Sequence, residues 1–229
     1  MLVVRKLMAR ESKSLERHLL RLSAEDRRLR FGYATSAPAI AGYVKAMDWG
    51  KTWAIGAFSG ARLCGIVELT RCDPWWAMRA ELSVSVEKRH QNRGLGTRLV
   101  AEALLIARNR GFQTVYLLCL PENRPIQRIA RKFDGQFTAL EGELEARIRP
   151  AQPTPLSVMM ELFNDNRAIL QCVLEPPKRR RSTRQEPAKR ANPKRGSGRR
   201  PATTASAHPR PAAWRSRGAG GKPRRQFPA

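Results

Sequence analysis

The heptapeptide QNRGLGT at residues 91–97 decides how the rest of the chain is interpreted. The residues before it, RAELSVSVE at 79–87, alternate polar and apolar side chains, which predicts a strand. The residues after it, from Leu95 to about Gly111, carry apolar side chains at helical spacing, which predicts an amphipathic helix. The heptapeptide is therefore predicted to be a loop between the end of a strand and the N-terminus of a helix.

A loop of this kind can bind phosphate groups. Gly94 and Gly96 let the backbone approach a ligand and adopt conformations that other residues resist. The first helical turn presents free N–H groups and the positive end of the helix dipole, and Arg93 and Arg98 add cationic donors. The loop lacks the GK[ST] ending of a Walker loop and the third glycine of a dinucleotide fingerprint. From the residues alone, it is either a phosphate-binding loop or a tight strand-to-helix turn.

The first 175 residues are predicted to form one α/β domain. No stretch of about 18 consecutive apolar residues is present, which excludes a membrane-spanning helix, and the N-terminal apolar run is too short for a secretory signal. Besides the elements around the loop, the apolar spacing predicts strands at 2–7, 52–60, 62–70 and 114–120, helices at 12–31, 36–47, 123–132 and 155–174, and a hairpin at 135–149 around Glu141-Gly142.

The excess positive charge is concentrated at residues 176–229. The whole chain carries a formal net charge of +25, and this segment holds 17 Lys/Arg, one acidic residue (Glu186) and nine prolines. Such a composition cannot bury enough apolar surface to offset the entropy of ordering, so we predict a disordered tail. The tail is either a solvated segment without a dedicated partner or a contact for nucleic acid or another polyanion. A membrane-surface contact is less favoured because the tail has no apolar face, and no membrane insertion is expected.

The cysteines and histidines lack the spacing of a metal site or a disulfide scaffold. Cys64, Cys72, Cys119 and Cys172 form no CxxC pair, and the three histidines are isolated. We therefore expect no bound metal and a cytoplasmic location.

The order of these elements resembles the GNAT superfamily of acetyl-CoA-dependent N-acetyltransferases. Gln91, Gly94 and Gly96 match the family motif [RQ]-x-x-G-x-[GA]. Asn123 begins a segment that matches the Asn-led helix pattern of the family, N-x-x-[apolar]-x-x-[apolar]-x-x-K. In addition, LSAEDRRLRF at 22–31 is similar to the bacterial protein-acetyltransferase branch.

The resemblance covers roughly residues 1–150 and implies an α/β (α+β) fold, with a mixed, mostly antiparallel sheet flanked by helices. The expected domain organisation is a GNAT-like N-acetyltransferase domain at 1–150, a C-terminal helix at 151–175, and the disordered Lys/Arg/Pro-rich tail at 176–229.

The resemblance also implies how acetyl-CoA binds. In the family, a bulge opens the sheet beside the strand that precedes the loop, and pantetheine pairs with the exposed strand backbone. The pyrophosphate lies on loop amides, and a strand amide, here near Val86, polarises the thioester carbonyl. Asn123 is expected to fix the start of its helix. The residues implied for acetyl-CoA binding are Val84, Ser85, Val86, Gln91, Asn92, Arg93, Gly94, Leu95, Gly96, Thr97 and Asn123.

Attack on the thioester requires a neutral amine, so a base is needed, directly or through a water molecule. Glu81 is the candidate, because it lies at the start of the strand, near where several family members carry a glutamate in that role. The alternative is that Glu81 is a solvated strand-end charge or pairs with Arg79. Glu68, on the preceding predicted strand, is the reserve candidate.

The sequence departs from the family at the residue that protonates the leaving thiolate. Many members carry a tyrosine seven residues after the asparagine, and this chain has Ala130 there. Solvent, Cys119 or Tyr116 can take that role, although Cys119 and Tyr116 are more typical of a core. A domain that binds acetyl-CoA without turnover also remains open.

The function that this indicates is an N-acetyltransferase. It would transfer the acetyl group of acetyl-CoA to a primary amine, either a small amine or a protein lysine, by direct attack in a ternary complex. The alternative is a catalytically weak acetyl-CoA-binding or nucleic-acid-associated protein that uses the basic tail. Trp75 and Trp76 either line a substrate slot or pack at a strand edge, and we favour the second interpretation.

Overall fold

A computed structural model of the protein describes residues 2–174, with side chains up to residue 166. The predicted tail at 176–229 lies outside the described residues, so its disorder stays a prediction. Within residues 2–174, none of the helices combines the length and apolarity needed to cross a membrane. The strands are β1 (Val3–Lys6), β2 (Thr52–Ser59), β3 (Arg62–Arg71), β4 (Arg79–Val86), β5 (Thr114–Cys119), β6 (Gln136–Leu140) and β7 (Glu143–Ile148), and the helices are α1 (Ser12–Arg21), α2 (Ala24–Phe31), α3 (Ala37–Lys45), α4 (Leu95–Asn109), α5 (Arg124–Arg131) and α6 (Pro155–Leu174).

The seven strands form one sheet in the order β1-β2-β3-β4-β5-β7-β6. Only the central pair, β4 and β5, is parallel, and all other neighbours are antiparallel. The crossover from β4 to β5 runs through the predicted loop and α4. This arrangement confirms the predicted mixed, mostly antiparallel sheet flanked by helices.

Helices cover both faces of the sheet and bury its apolar residues. On one face, Leu99 and Val100 of α4 pack in a cluster with apolar residues of β2 to β5. On the other face, Leu15 and Leu19 of α1 pack with Ile40 of α3 and with β2 and β3. The chain therefore folds as three layers, helix, sheet and helix. The loop at 91–97 lies where the chain passes from β4 into α4.

The single helix predicted at 12–31 is wrong, because the structure contains two helices there. Leu22 and Ser23 have extended backbones, and α2 begins after Ser23. The Ser23 hydroxyl accepts the Asp26 N–H at 3.0 Å, and such a cap competes with a continuous helix. The break lets α2 turn away from α1 and reach β4, which it contacts.

Candidate functional site

The central feature of the site is a gap between the two parallel strands. β4 pairs with β5 only from Arg79 to Glu81, opposite Thr114 to Tyr116. Beyond Glu81 the two strands diverge, so the rest of β4 has no strand partner on that side. The gap opens toward the loop at 91–97, as the resemblance implied.

The backbone groups that face the gap follow from the alternation of an antiparallel ladder. Glu87 donates its N–H to the Cys64 carbonyl at 2.9 Å. The backbone N–H and C=O groups of the odd-numbered residues of β4 therefore point toward β3. The backbone groups of Leu82, Val84 and Val86 therefore face the gap. The Leu82 N–H completes the last step of the ladder with β5, at Tyr116, so the N–H groups of Val84 and Val86 are the ones available to a ligand that lies along the strand.

The gap does not come from a bulge in β4, and that expectation is wrong. The pairing of β3 with β4 runs without a shift from Gly65–Val86 to Arg71–Ala80. The only register shift on β3 lies in its pairing with β2, beside Ala57 and Phe58. The divergence of β5 alone frees the β4 backbone groups.

The loop has the geometry expected of a ligand-binding turn. Gly94 caps α4 with a φ of 76°, a left-handed conformation that favours glycine, and a side chain there would meet no atom within 4 Å. Gly96 is constrained differently, since a Cβ atom would lie 3.0 Å from Cδ1 of Ile129 on α5. Gly94 therefore sets the backbone conformation beside open space, and Gly96 permits close packing of α4 on α5.

Gln91 and Asn123 hold the walls of the gap together. The Gln91 side-chain amide donates to the Val86 carbonyl at 2.9 Å and to the Asp26 carboxylate at 3.0 Å. The Asn123 side chain caps α5 by accepting the Ile126 N–H at 3.4 Å, and it donates to the Leu29 carbonyl at 3.4 Å. These polar groups fix the loop and α5 relative to α2.

The gap contains a cavity of about 430 Å³, which we call the cofactor cleft. Among the residues predicted to bind acetyl-CoA, Arg93 and Leu95 are not part of its lining, and Leu95 is buried in the core. Three cationic residues that were not predicted to bind acetyl-CoA also line it: Lys88, Arg128 and Lys132, the last of which closes the Asn-led helix pattern. The predicted residues in the lining are Val84, Ser85, Val86, Gln91, Asn92, Gly94, Gly96, Thr97 and Asn123.

Ser85 is braced from behind the cleft. Its hydroxyl lies 3.0 Å from Nε2 of His18, which is completely buried on α1. Burial lowers the pKa of His18 to about 4, so the imidazole is neutral at pH 7. Because Ser85 is an odd-numbered residue of β4, its backbone N–H and C=O groups point toward β3 and not into the gap. Ser85 therefore supports the strand more than it contributes backbone groups to the gap.

A second cavity of about 510 Å³, which we call the acceptor cavity, adjoins the cleft. Both cavities are lined by Leu29 and Arg30, so they meet at the end of α2. β4 passes from one cavity to the other at this point: its residues 81–83 line the acceptor cavity and its residues 84–86 line the cofactor cleft. A ligand that lies along β4 in the cleft therefore extends directly into the acceptor cavity.

Glu81 lines the acceptor cavity, and its carboxylate has no hydrogen bond or ion pair to a described residue. Burial is the main cause that raises the pKa of Glu81. The positive charge of Arg30 opposes this rise, and the carboxylates of Glu68 and Glu143 add to it. A raised pKa makes Glu81 a stronger base than an exposed glutamate.

Glu68 is held away from both cavities. It is 2% exposed, accepts a hydrogen bond from the Tyr43 hydroxyl and lies 3.1 Å from the Arg30 guanidinium. Burial, followed by the negative charge of Glu68, raises the pKa of the Tyr43 phenol. Glu68 is therefore part of a buried ion pair and lines neither cavity.

Ala130, which replaces the family tyrosine, and the two candidate proton donors Tyr116 and Cys119 have different surroundings. Ala130 is completely buried beside Gly135, where a Cβ atom would lie 2.8 Å from the Ala130 carbonyl. Tyr116 lines neither cavity, and its ring lies 5.8 Å from the Arg147 guanidinium. Cys119 lines the acceptor cavity, and burial raises the pKa of its thiol to about 11, so the thiol is protonated at pH 7.

Two further groups of residues complete the description. Trp75 and Trp76 pack against each other edge to face, with ring centroids 6.2 Å apart, and they remain 64% and 68% exposed. Cys64, Glu87 and His90 bring possible metal-ligand atoms within 4.8 Å of one another. Arginine side chains, two of them 2.8 Å away, already neutralise the Glu87 carboxylate, and their charges oppose the binding of a cation.

Comparisons with known proteins agree with this geometry. Residues 17–135 match the acetyltransferase (GNAT) family. The GNAT domain of the Streptomyces lividans protein titled PAT superposes with a TM-score of 0.55 and 20% identity over 64% of this chain and 89% of that one. The ribosomal-protein-S18-alanine N-acetyltransferase of Escherichia coli superposes with a TM-score of 0.52 and 12% identity over 68% and 97%. The PaiA N-acetyltransferase of Thermoplasma acidophilum, in complex with coenzyme A, has a TM-score of 0.50 and 16% identity over 65% and 99%.

Proposed function

Because the chain belongs to the acetyltransferase (GNAT) family and is an acyltransferase, we propose that it transfers acetyl from acetyl-CoA to a primary amine held beside Glu81. The observation that carries the proposal is the meeting of two cavities on β4. One cavity is lined by strand backbone and the glycine loop, and the other contains carboxylates. The reaction would occur where the lining changes from Ser83 to Val84.

On the donor side, we propose that pantetheine lies along the free backbone groups of Leu82, Val84 and Val86. The pyrophosphate would lie on the loop amides from Arg93 to Thr97, at the positive end of the α4 dipole. Lys88, Arg128 and Lys132 would supply cationic contacts to the remaining phosphate charge. This set extends the residues expected from the sequence.

On the acceptor side, the reaction follows from the position of Glu81. The Glu81 carboxylate would take a proton from the incoming ammonium, directly or through one water molecule. The neutral nitrogen would attack the thioester carbon, and the N–H of Val84 would stabilise the oxyanion. The C–S bond would then break, the attacking nitrogen would release its second proton to solvent, and the thiolate would receive a proton from solvent or from the Cys119 thiol. The amide N–C bond forms in the ternary complex, without a covalent enzyme intermediate.

We propose a protein lysine as the acceptor, on two observations. The acceptor cavity is lined by three cationic side chains, Arg30, Lys51 and Arg71, and Lys51 pairs with Asp73 at 2.8 Å. The lining carboxylates outnumber these cations and favour a cationic amine over a neutral one; they are Asp48, Asp73, Glu81 and Glu143. Trp75 and Trp76 follow the lining residue Asp73 and are exposed, and exposed tryptophans of this kind are enriched at protein interfaces. A polypeptide would bury these rings, whereas a small amine would leave them in water.

The tail supports a separate proposal, a contact with nucleic acid. Residues 176–229 hold 17 Lys/Arg and one acidic residue. Such a segment binds phosphates without reading bases. Mobility shifts of the full chain should weaken steeply with salt and differ little between DNA sequences. Binding that does not respond to salt would contradict this proposal.

The acetyltransferase proposal is tested in two steps. Calorimetry should detect acetyl-CoA binding to the full chain, and mass spectrometry should then detect transfer to a lysine-containing peptide. A panel of small amines and the same peptide with acetyl-lysine provide the comparison. The absence of acetyl-CoA binding would overturn the proposal, and faster transfer to small amines than to peptides would overturn the choice of acceptor.

A further inference from the structure

The C-terminal helix α6 contacts the rest of the domain through its polar face. Ser157 and Glu161 are 2% and 7% exposed, and the helix packs against β1 and α4. Glu161 accepts hydrogen bonds from Lys6 at 2.8 Å, Asn109 at 2.8 Å and Arg110 at 3.1 Å. Asp165 forms an ion pair with Lys6 at 2.7 Å. These polar contacts orient α6 on the domain.

The opposite face of α6 is apolar and exposed. An amphipathic helix of a globular domain normally turns its apolar stripe to the core, so the orientation of α6 is the reverse of the usual one. The exposed side chains are Leu156 at 67%, Val158 at 44%, Met159 at 51%, Met160 at 51%, Leu162 at 57% and Phe163 at 64%.

The exposed patch is large for a monomer. A large apolar side chain offers about 200 Å² when fully exposed, so these six expose roughly 670 Å². That value is slightly above the largest patches found on typical monomeric proteins, about 300–600 Å². Two such faces in contact would bury roughly 1,300 Å², which lies in the lower part of the range of stable, specific interfaces.

The tail is too poor in large apolar residues to cover the exposed apolar face of α6. Outside the described residues, the segment 176–229 contains only Trp214 and Phe227 as large apolar residues. Nucleic acid, the partner that suits the tail, offers charged phosphates and no apolar surface of this kind. A lipid surface favours helices that carry Lys and Arg on the polar face, and residues 155–166 of α6 contain neither.

We propose that the apolar face of α6 binds the same face of a second copy of this chain. The face is free of charge, so two copies can pack without burying an unpaired ion. Repulsion between the basic tails is screened, because the Debye length at physiological salt is about 8 Å. Among residues 155–166 of α6, whose side chains the structure describes, none lines the cofactor cleft or the acceptor cavity, so these side chains are outside both cavities.

The test is analytical ultracentrifugation of the full chain over a dilution series in high salt, which removes bridging by nucleic acid. We expect the wild type to sediment at twice the chain mass and Phe163→Glu to sediment at the chain mass. Trp75→Glu is the matched control, since Trp75 has the same 64% exposure as Phe163 but lies on another surface. This control should remain dimeric.

Two further measurements keep the result interpretable. Phe163→Glu should retain the circular dichroism and acetyl-CoA affinity of the wild type, because the exchanged side chain is exposed and remote from the cleft. A monomeric wild type at high micromolar concentration, or a dimeric Phe163→Glu, would overturn the proposal. Sedimentation of a monomeric wild type with phosphatidylcholine/phosphatidylglycerol vesicles, lost in Phe163→Glu, would also overturn it and assign the face to lipid.

Discussion

The cofactor cleft and the acceptor cavity lie on the same strand and are built in different ways. The cleft is lined largely by one continuous segment, residues 84–97, which offers backbone groups, together with α5 and residues of α2. The acceptor cavity is formed by side chains from α2, α3, β3, β4, β5 and β7, which lie far apart in the sequence. A site made of backbone depends on conformation, and a site made of side chains depends on individual residues.

This difference predicts which kinetic quantity each substitution changes. In the cleft, exchanges that change the backbone should weaken acetyl-CoA binding most, and removal of one cationic side chain such as Lys88 should weaken it less. In the acceptor cavity, removal of one carboxylate should change turnover or acceptor binding and leave acetyl-CoA affinity intact. Each prediction below tests one side of that distinction.

The largest effect is expected from Glu81→Gln. The amide keeps the shape of the side chain and cannot accept the ammonium proton. We expect kcat to fall by about 10²- to 10⁴-fold, the usual contribution of a general base. Acetyl-CoA affinity, measured by calorimetry, should not change, because Glu81 is not part of the cleft lining.

Glu68→Gln provides the contrast for this experiment. It leaves the buried Arg30 charge without its carboxylate partner, which costs about 3–5 kcal/mol of unfolding free energy in comparable pairs. Chemical denaturation should therefore detect Glu68→Gln, while Glu81→Gln keeps the stability of the wild type. Unchanged turnover in Glu81→Gln would remove the base from the mechanism.

The same distinction explains how much could be predicted from the sequence. The strand, loop and helix around residues 91–97 were predicted correctly because apolar period and glycine placement are local signals. The break at Leu22–Ser23 was missed because Ser23 and Asp26 also fit a helix surface, and only the cap geometry separates α1 from α2. Periodicity also placed α6, but it could not show that the apolar face points outward, since that depends on Lys6 and Arg110.

The acceptor cavity was largely beyond the sequence analysis. Glu81 was named through a family resemblance, while Glu143 and Asp48 gave no local signal. Their proximity arises only when the β6–β7 hairpin and α3 pack around β4. The three cationic residues of the cleft have a stronger local signal in the sequence. Lys88 lies shortly before the loop, and Arg128 and Lys132 lie one helical turn apart at the end of α5.

The second prediction tests the backbone side of the comparison with Gly94→Ala. Alanine at a φ of 76° costs about 1–2 kcal/mol, so the loop should relax and misplace the amides that face the phosphates. We expect acetyl-CoA affinity to fall by about tenfold, with kcat at saturation little changed. Gly60→Ala is the matched control, since Gly60 has a φ of 56°, open space around it and a position in the β2–β3 turn. Equal loss of affinity in both variants would show that strain alone, and not the loop, is responsible.

The third and smallest effect is expected from Glu143→Gln on the acceptor side. Glu143 lines the acceptor cavity, and its charge raises the pKa of Glu81, although burial contributes more. Glu81 must be deprotonated to act as a base, so activity is lost as pH falls through its raised pKa. Without the Glu143 charge that pKa is lower, and the acidic limb of the kcat/KM profile should move to lower pH while staying above that of an exposed glutamate.

The loss of Glu143 should also weaken binding of the cationic acceptor. A partly exposed ion pair contributes about 0.2–1 kcal/mol, which corresponds to an increase in acceptor KM of up to about fivefold. Glu141→Gln is the control, because it removes the same charge from the same hairpin and lines neither cavity. If both variants move the acidic limb equally, net charge is the cause. If only Glu143→Gln moves it while acetyl-CoA affinity is constant, the acceptor cavity depends on the placement of single carboxylates, as its construction from side chains requires.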